Sequence, residues 1–266
     1  MRNGLEDLAA RIARLDQRPG DTPSSPSPLA DISHFISVLQ ETASPSTGTD
    51  GGLIPSPTDA DTLQGASRLL NRLEEQVPEI VVGPLATKAQ YWIRTGRPDH
   101  LRAVDKVLRR ESFVGVEAGP GVNPSTKPFG IGLFTSTGVC DTPGMWFAYL
   151  NRHHTSTLHP GPWVVWRVVP ASTACVCEIR SAADWVAFVS SHALPHNGFV
   201  YPDWTAVSRY YDAVHITLRA IAAVQGLSFT THFGSTAPPY WDVECTFWLR
   251  WCFDLVQLVQ TEGAPT

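Results

Sequence analysis

Over the first 80 residues, apolar positions recur at helical spacing in three short stretches, separated by segments with no period. GLEDLAARIARL places Leu5, Leu8, Ile12 and Leu15 on one stripe. ADISHFISVLQ aligns Ile32, Phe35, Ile36 and Leu39, and TLQGASRLLNRLEEQ carries Leu69, Leu70 and Leu73. Between them, RPGDTPSSPSP and TASPSTGTDGGLIPSPTDAD are rich in Pro, Ser and Gly, which interrupt helices and bury little. The pattern predicts short tethered helices over 1–80. They are either docking elements for a protein partner or a helical crust on the remainder, and the linkers are too polar to be integral to a core.

From about residue 85 the texture becomes dense, and 81–266 reads as one domain. QYWIRTG predicts a strand, and RPDHLRAVDKVLRR a helix with Leu101, Val104, Val107 and Leu108 inward. SFVGVEAG and GIGLFTSTG predict two further strands, the second ending in hydroxyls, and GMWFAYLNR a short helix. WVVWRVVP and ACVCEI are apolar strands. SAADWVAFVSSH predicts a helix capped by Ser181, because a serine hydroxyl can accept from an orphan N–H of the first turn. DWTAVSRYY predicts another helix, AVHITLRAIAAVQG suits either strand or helix, and VECTFWLRWCFDLVQLV supplies one or two final strands. Strands and helices mix without a regular βαβ alternation, which makes the class α+β.

Composition changes this picture little. The chain is 43% apolar and 10% aromatic, in the globular range, and most of its nine tryptophans fall at apolar-periodic positions of a core. A net charge of −5 disfavours nucleic acid held by a general basic field, though not a local site. No apolar run reaches the ~20 residues of a membrane helix. MRNGLEDLAARIARLDQ lacks the apolar stretch of a signal peptide, so the expected location is cytoplasmic, or outside the cell by a route needing no such signal. Five cysteines without a CxxC pair argue against a disulfide framework. Cys175 with Cys177, or the histidines of NRHHTSTLHP (His153, His154, His159), could suggest a metal, but they lack ligand spacing and none is expected. GxGxxG and GxxxxGK[ST] are both absent.

Three separated features carry chemistry. Arg94 ends the aromatic strand YWIR, GIGLFTST brings Thr135-Ser136-Thr137 some forty residues later, and YWDVECTFWLRW sets Asp242 and Glu244 two apart. Arg suits bidentate phosphate recognition. A fixed carboxylate stabilises a ribose that turns cationic as an N-glycosidic bond breaks. Residues two apart on a strand address one face. In order and spacing these features resemble the Arg–Ser–Glu class of mono-ADP-ribosyltransferases, over roughly residues 88 to 260. The resemblance implies a core of two small, packed, mostly antiparallel sheets with flanking helices. It also implies NAD as substrate and transfer of ADP-ribose to a macromolecular acceptor, protein or nucleic acid, with release of nicotinamide.

Residue by residue, the resemblance assigns Arg94 to the phosphates or a ribose of NAD. Ser136 would hold the nicotinamide-side ribose and support Glu244, which would bond the 2′-hydroxyl and stabilise the oxocarbenium-like charge. Asp242 would orient or deprotonate the acceptor. Thr95, Thr135, Phe134 and Trp241 complete the expected NAD-contacting set, with Phe134 and Trp241 offering flat faces for nicotinamide or walls against water. Two departures stand out: the family more often has Glu or Gln where Asp242 stands, and its Ser-Thr-Ser is here Thr-Ser-Thr.

Other readings of the same residues stay open. Arg94 could pair with Asp99, Asp105 or Glu117, FTST could be an ordinary strand end, and Asp242 with Glu244 a solvated strand face. An NAD glycohydrolase or phosphorylase would use the same Arg and Glu with water or phosphate as acceptor. A binding module would use tryptophans as stacking platforms. A non-catalytic assembly protein would act through its N-terminal helices.

Overall fold

The computed structural model describes residues 70–95, 108–116, 124–128, 130–139, 142–152, 159–224, 228–237, 241 and 243–262. The strands are β1 (Gln90–Arg94), β2 (Leu133–Thr137), β3 (Trp163–Pro170), β4 (Val176–Ile179), β5 (Ala193–His196), β6 (Phe199–Pro202), β7 (Ala213–Ile216), β8 (Phe229–Thr231), β9 (Gly234–Thr236), β10 (Cys245–Trp248) and β11 (Phe253–Glu262). The helices are α1 (Pro78–Val81), α2 (Met145–Arg152), α3 (Ala182–Ser191), α4 (Trp204–Val207) and α5 (Leu218–Val224). A seven-stranded sheet runs β11-β3-β1-β2-β10-β7-β4, and a four-stranded sheet runs β5-β6-β9-β8. Pairing is antiparallel except at β4–β7 and β6–β9. The class is α+β, with two mostly antiparallel sheets.

Local sequence explains most of these elements. Trp163–Pro170 forms the strand beside β1, and its near-continuous apolar run fits burial on both faces. Ser181 caps α3, its hydroxyl accepting from Asp184 N at 3.1 Å. AVHITLRAIAAV contains both elements its composition allows: β7 ends at Ile216 and α5 begins at Leu218. The Thr217 hydroxyl between them accepts from Ala220 N at 3.3 Å. SFVGVEAG does not form the expected strand. A 3-10 turn at Arg110–Ser112 leads into it, and its described part, 112–116, is otherwise irregular chain that touches the sheet at single points, Gly132 N to Val114 O and Val116 N to Leu249 O. It crosses the ends of β2 and β10 rather than running along either. The helix expected over 97–110 falls largely outside the described residues, as do residues 1–69.

The main core joins α3, α5 and β7 around Trp185, Trp204, Trp241 and Phe247. It also takes in Leu70, Leu73, Val77, Ile80 and Val81, at most 3% exposed. The packed unit therefore reaches back to at least Leu70, ten residues before the boundary drawn from the linkers. Leu70 and Leu73 belong to the third predicted helical stripe, which packs on the core as a helical crust would.

One feature of the large sheet sets up the site. β1 pairs with β3 over five residues but with β2 only at Gln90↔Thr137 and Tyr91↔Ser136. Past Tyr91 the two strands line opposite walls of a cavity of about 330 Å³. Among the described residues, no helix is long and apolar enough to cross a membrane.

Candidate functional site

Three of the residues singled out by sequence meet where β1 and β2 are still paired. Ser136 Oγ donates toward Glu244, 3.1 Å from both Oε2 and the main-chain oxygen. Thr137 N donates to Oε2 at 2.9 Å and Thr137 Oγ1 to Oε1 at 2.7 Å. On the far side His215 Nε2 lies 3.0 Å from Oε1. Four donors thus converge on the two carboxyl oxygens, and none needs Glu244 to donate. Glu244 is 0% exposed, so it is not on a solvated strand face.

Register explains how the sheet assembles this network. Thr135 pairs with Thr246, Thr246 with His215 and His215 with Glu178, a row running across β2, β10, β7 and β4. Glu244 sits two residues before Thr246, so alternation puts it on the face of His215. His215 Nδ1 lies 2.7 Å from Glu178 Oε2, and Leu85 N donates to Glu178 Oε1 at 2.9 Å. An imidazole with a carboxylate at each nitrogen satisfies both only as the cation, because the neutral ring has one N–H. Burial pushes the His215 pKa down, but its hydrogen bonds and charge attraction to Glu178 and Glu244 outweigh that and raise it to about 9. Burial pushes Glu178 up, yet His215, the Leu85 N–H and Arg180 together hold it below its usual value.

Gln90 ties the network to β1. Its Nε2 donates to Thr137 Oγ1 at 2.8 Å and its Oε1 accepts from Thr135 Oγ1 at 2.6 Å. Thr135 Oγ1 in turn accepts from Trp248 Nε1 at 2.8 Å. On the other side of Ser136, α2 begins with a close backbone approach. Gly144 has φ +92°, and a Cβ there would collide with Thr137 O and crowd Ser136 Oγ.

The cavity lies alongside. Thr95, Phe134 and Thr135 line it, with Trp92, Lys127, Trp146 and His159. So do Val243 and Cys245, the chain neighbours of Glu244, but Glu244 and Ser136 do not. Arg94 ends β1 as an exposed residue and lines an adjoining hollow of about 340 Å³ with Trp92, Ser112 and Phe113. The strand reaches the surface at this last residue. Asp99, Asp105 and Glu117, its candidate partners, and Asp242, the expected acceptor-facing acid, lie outside the described residues.

Trp241 is 0% exposed, with edge contacts to Phe134 at 6.2 Å and Trp185 at 6.3 Å; it presents no open face for nicotinamide, and of its two expected roles only that of a wall fits this burial. Lys127 Nζ sits 5.2 Å from the Phe134 ring centroid and 5.3 Å from that of Trp241, placing one cation at the cavity wall. Of the other tryptophans, Trp163, Trp166, Trp185, Trp204 and Trp248 are at most 5% exposed and serve the core.

Sequence reasoning missed His215, Glu178 and Gln90. The one available signal was a lone polar residue inside an otherwise apolar run, His in AVHI and Glu in CVCEI. The described residues contain no group of three His, Cys, Asp or Glu arranged to hold a metal ion. In comparisons with family models, curated proteins and solved structures, nothing matches this chain.

Proposed function

We propose that the chain is an NAD-dependent mono-ADP-ribosyltransferase that moves ADP-ribose from NAD to a macromolecular acceptor, protein or nucleic acid, and releases nicotinamide. The observation that carries this reading is the contact between the Ser136 hydroxyl and the Glu244 carboxylate, residues 108 apart in sequence. It lies beside a cleft whose other wall bears Thr95, with Arg94 at its edge. In this reading Arg94 and Lys127 attract the pyrophosphate, the nicotinamide lies against Trp92, Phe134 or Trp146, and Glu244 stabilises the ribose as it turns cationic. Since Glu244 is sealed, the ribose reaches it only after β1 and β2 part further at their two-residue pairing. The N-terminal arm, read from sequence over 1–80, is proposed to bind a protein partner through the part that precedes the packed residues beginning at Leu70.

A second reading, a non-catalytic protein in which Glu244 clamps β2 to β7, is favoured by the four donors and total burial of that carboxylate. Incubating the full chain with NAD labelled in the adenosine separates the readings. Nicotinamide release with label on a macromolecule supports the transferase. Release with free ADP-ribose or its phosphate ester shifts it to the glycohydrolase or phosphorylase. No binding and no release between pH 6 and 9 leaves the structural clamp.

A further inference from the structure

The proposed chemistry does not use the polar row beyond Glu244. His215 is fully buried, and its partner Glu178 has a side chain 18% exposed. The row therefore runs from a carboxylate that water reaches, through a cationic ring, to a carboxylate that water does not reach. The charged groups facing His215 come from two elements: Glu178 from β4 and Glu244 from the segment leading into β10. Arg180, at the end of β4, stands 3.9 Å from the same Glu178 oxygen that His215 uses. From β2 the groups nearest Glu244 are the neutral Ser136 and Thr137. Thr246, the register neighbour of His215, has a buried hydroxyl that makes no hydrogen bond among the described residues. Apart from Glu178, therefore, no polar group in view fixes the ring from its other side.

We propose that Glu178 acts through His215 as a positioning residue for Glu244, fixing the ring so that its second N–H holds Glu244 Oε1 beside Ser136 and Thr137. This deepens the transferase reading and rests on it for its catalytic meaning. The geometric part stands alone. The Oε2 atom is held by β2 whatever happens to His215, whereas among the described residues Oε1 is held by the Thr137 hydroxyl and the His215 ring. Losing the Glu178 contact frees the ring to rotate or give up its proton, and Oε1 loses one of its two anchors. Carboxylates that orient a functional histidine are a recurring device, and losing such an outer partner costs on the order of ten- to a hundredfold in activity.

The test uses the full chain and two readouts. First, carboxyl ¹³C and imidazole ¹⁵N resonances are followed from pH 5 to 10. The proposal expects Glu178, His215 and Glu244 to shift together with one midpoint near 9. Both ring nitrogens should be protonated below it. In Glu178→Gln the His215 midpoint should fall by a unit or more and the Glu244 resonance should move at pH 7. A His215 midpoint near its ordinary value, or a Glu244 resonance indifferent to Glu178→Gln, overturns the proposal without reference to turnover. Second, nicotinamide release by Glu178→Gln should drop about tenfold or more with KM for NAD within twofold. An unchanged rate overturns the positioning role. If the wild type releases no nicotinamide, the transferase reading fails, and the resonance readout still decides whether Glu178 positions Glu244.

Discussion

The two sides of residues 243–245, the segment leading into β10, differ completely. On one, Glu244 is packed among Ser136, Thr137 and His215 with every carboxyl oxygen engaged and no solvent access. On the other, Val243 and Cys245 face a cavity bordered by half-buried aromatics, Lys127 and Thr95. Alternation along a strand produces both, because adjacent side chains point to opposite faces. The chain has therefore placed this charged network on the side away from the cavity. A reaction that uses both must couple them, and the β1–β2 pairing between them spans only two residue pairs among the described residues.

The comparison is broken most severely on the sealed side. Replacing His215 with Phe leaves Glu178 and Glu244 facing an apolar ring, and removing one member of a buried charged set costs about 3–5 kcal/mol. For a packed unit of this size that is a fall of roughly 10 °C in melting temperature, readable by calorimetry or circular dichroism. Because His215 titrates near 9 when folded and near 6.5 otherwise, its contribution to stability is complete below 6.5 and lost as pH climbs through 9. That window is worth about 3 kcal/mol. Glu178 is shifted the other way, so its share is present above its ordinary value of 4.5 and is lost as pH falls through the lowered one. Urea denaturation at pH 6, 7.5 and 9 should show stability falling monotonically across that range.

Smaller changes sharpen the same contrast. Ser136→Ala removes one donor of four and leaves Oε2 with Thr137 N, an expected loss of about 1–2 kcal/mol by denaturant unfolding. Arg94→Lys, on the open side, should change stability by less than about 0.5 kcal/mol, as expected for an exposed position. Under the transferase reading it still weakens NAD binding, because the planar fork is lost. A melting temperature that falls as far for Arg94→Lys as for Ser136→Ala would erase the distinction between the two sides.

Much of the fold was legible because apolar runs in this chain are long and cleanly bounded: WVVWRVVP, GLFTST and VECTFW each formed the strand their pattern predicts. Ser136 and Glu244 were found through their order and spacing, and the sheet brings them into contact. Depth was harder to read. Period-2 alternation assigns a face but not how much lies over it, so Trp241 was expected to offer a face to a pocket and is instead fully buried. His215 and Glu178 stayed hidden for a topological reason. They meet through a parallel pairing of β4 and β7, whose partners are 37 residues apart with α3, β5, β6 and α4 in between. Nothing local in CVCEI or AVHI encodes that neighbour. SFVGVEAG looked like a strand from composition alone, and its described part, 112–116, has no strand to run along among the described residues.

The most direct test of the account is the rate of nicotinamide release by Glu244→Gln against wild type at saturating NAD, with binding measured on the same samples. Either orientation of the new amide sets its –NH2 against donors that now point at a carboxylate, so the variant is compared below its own melting transition. The account predicts an active wild type and a variant slowed roughly 10²-fold or more with nearly unchanged NAD affinity, the scale for losing a preorganised electrostatic contact. A variant as fast as wild type, or a wild type that neither binds nor cleaves NAD, would contradict it and leave Glu244 as a structural clamp.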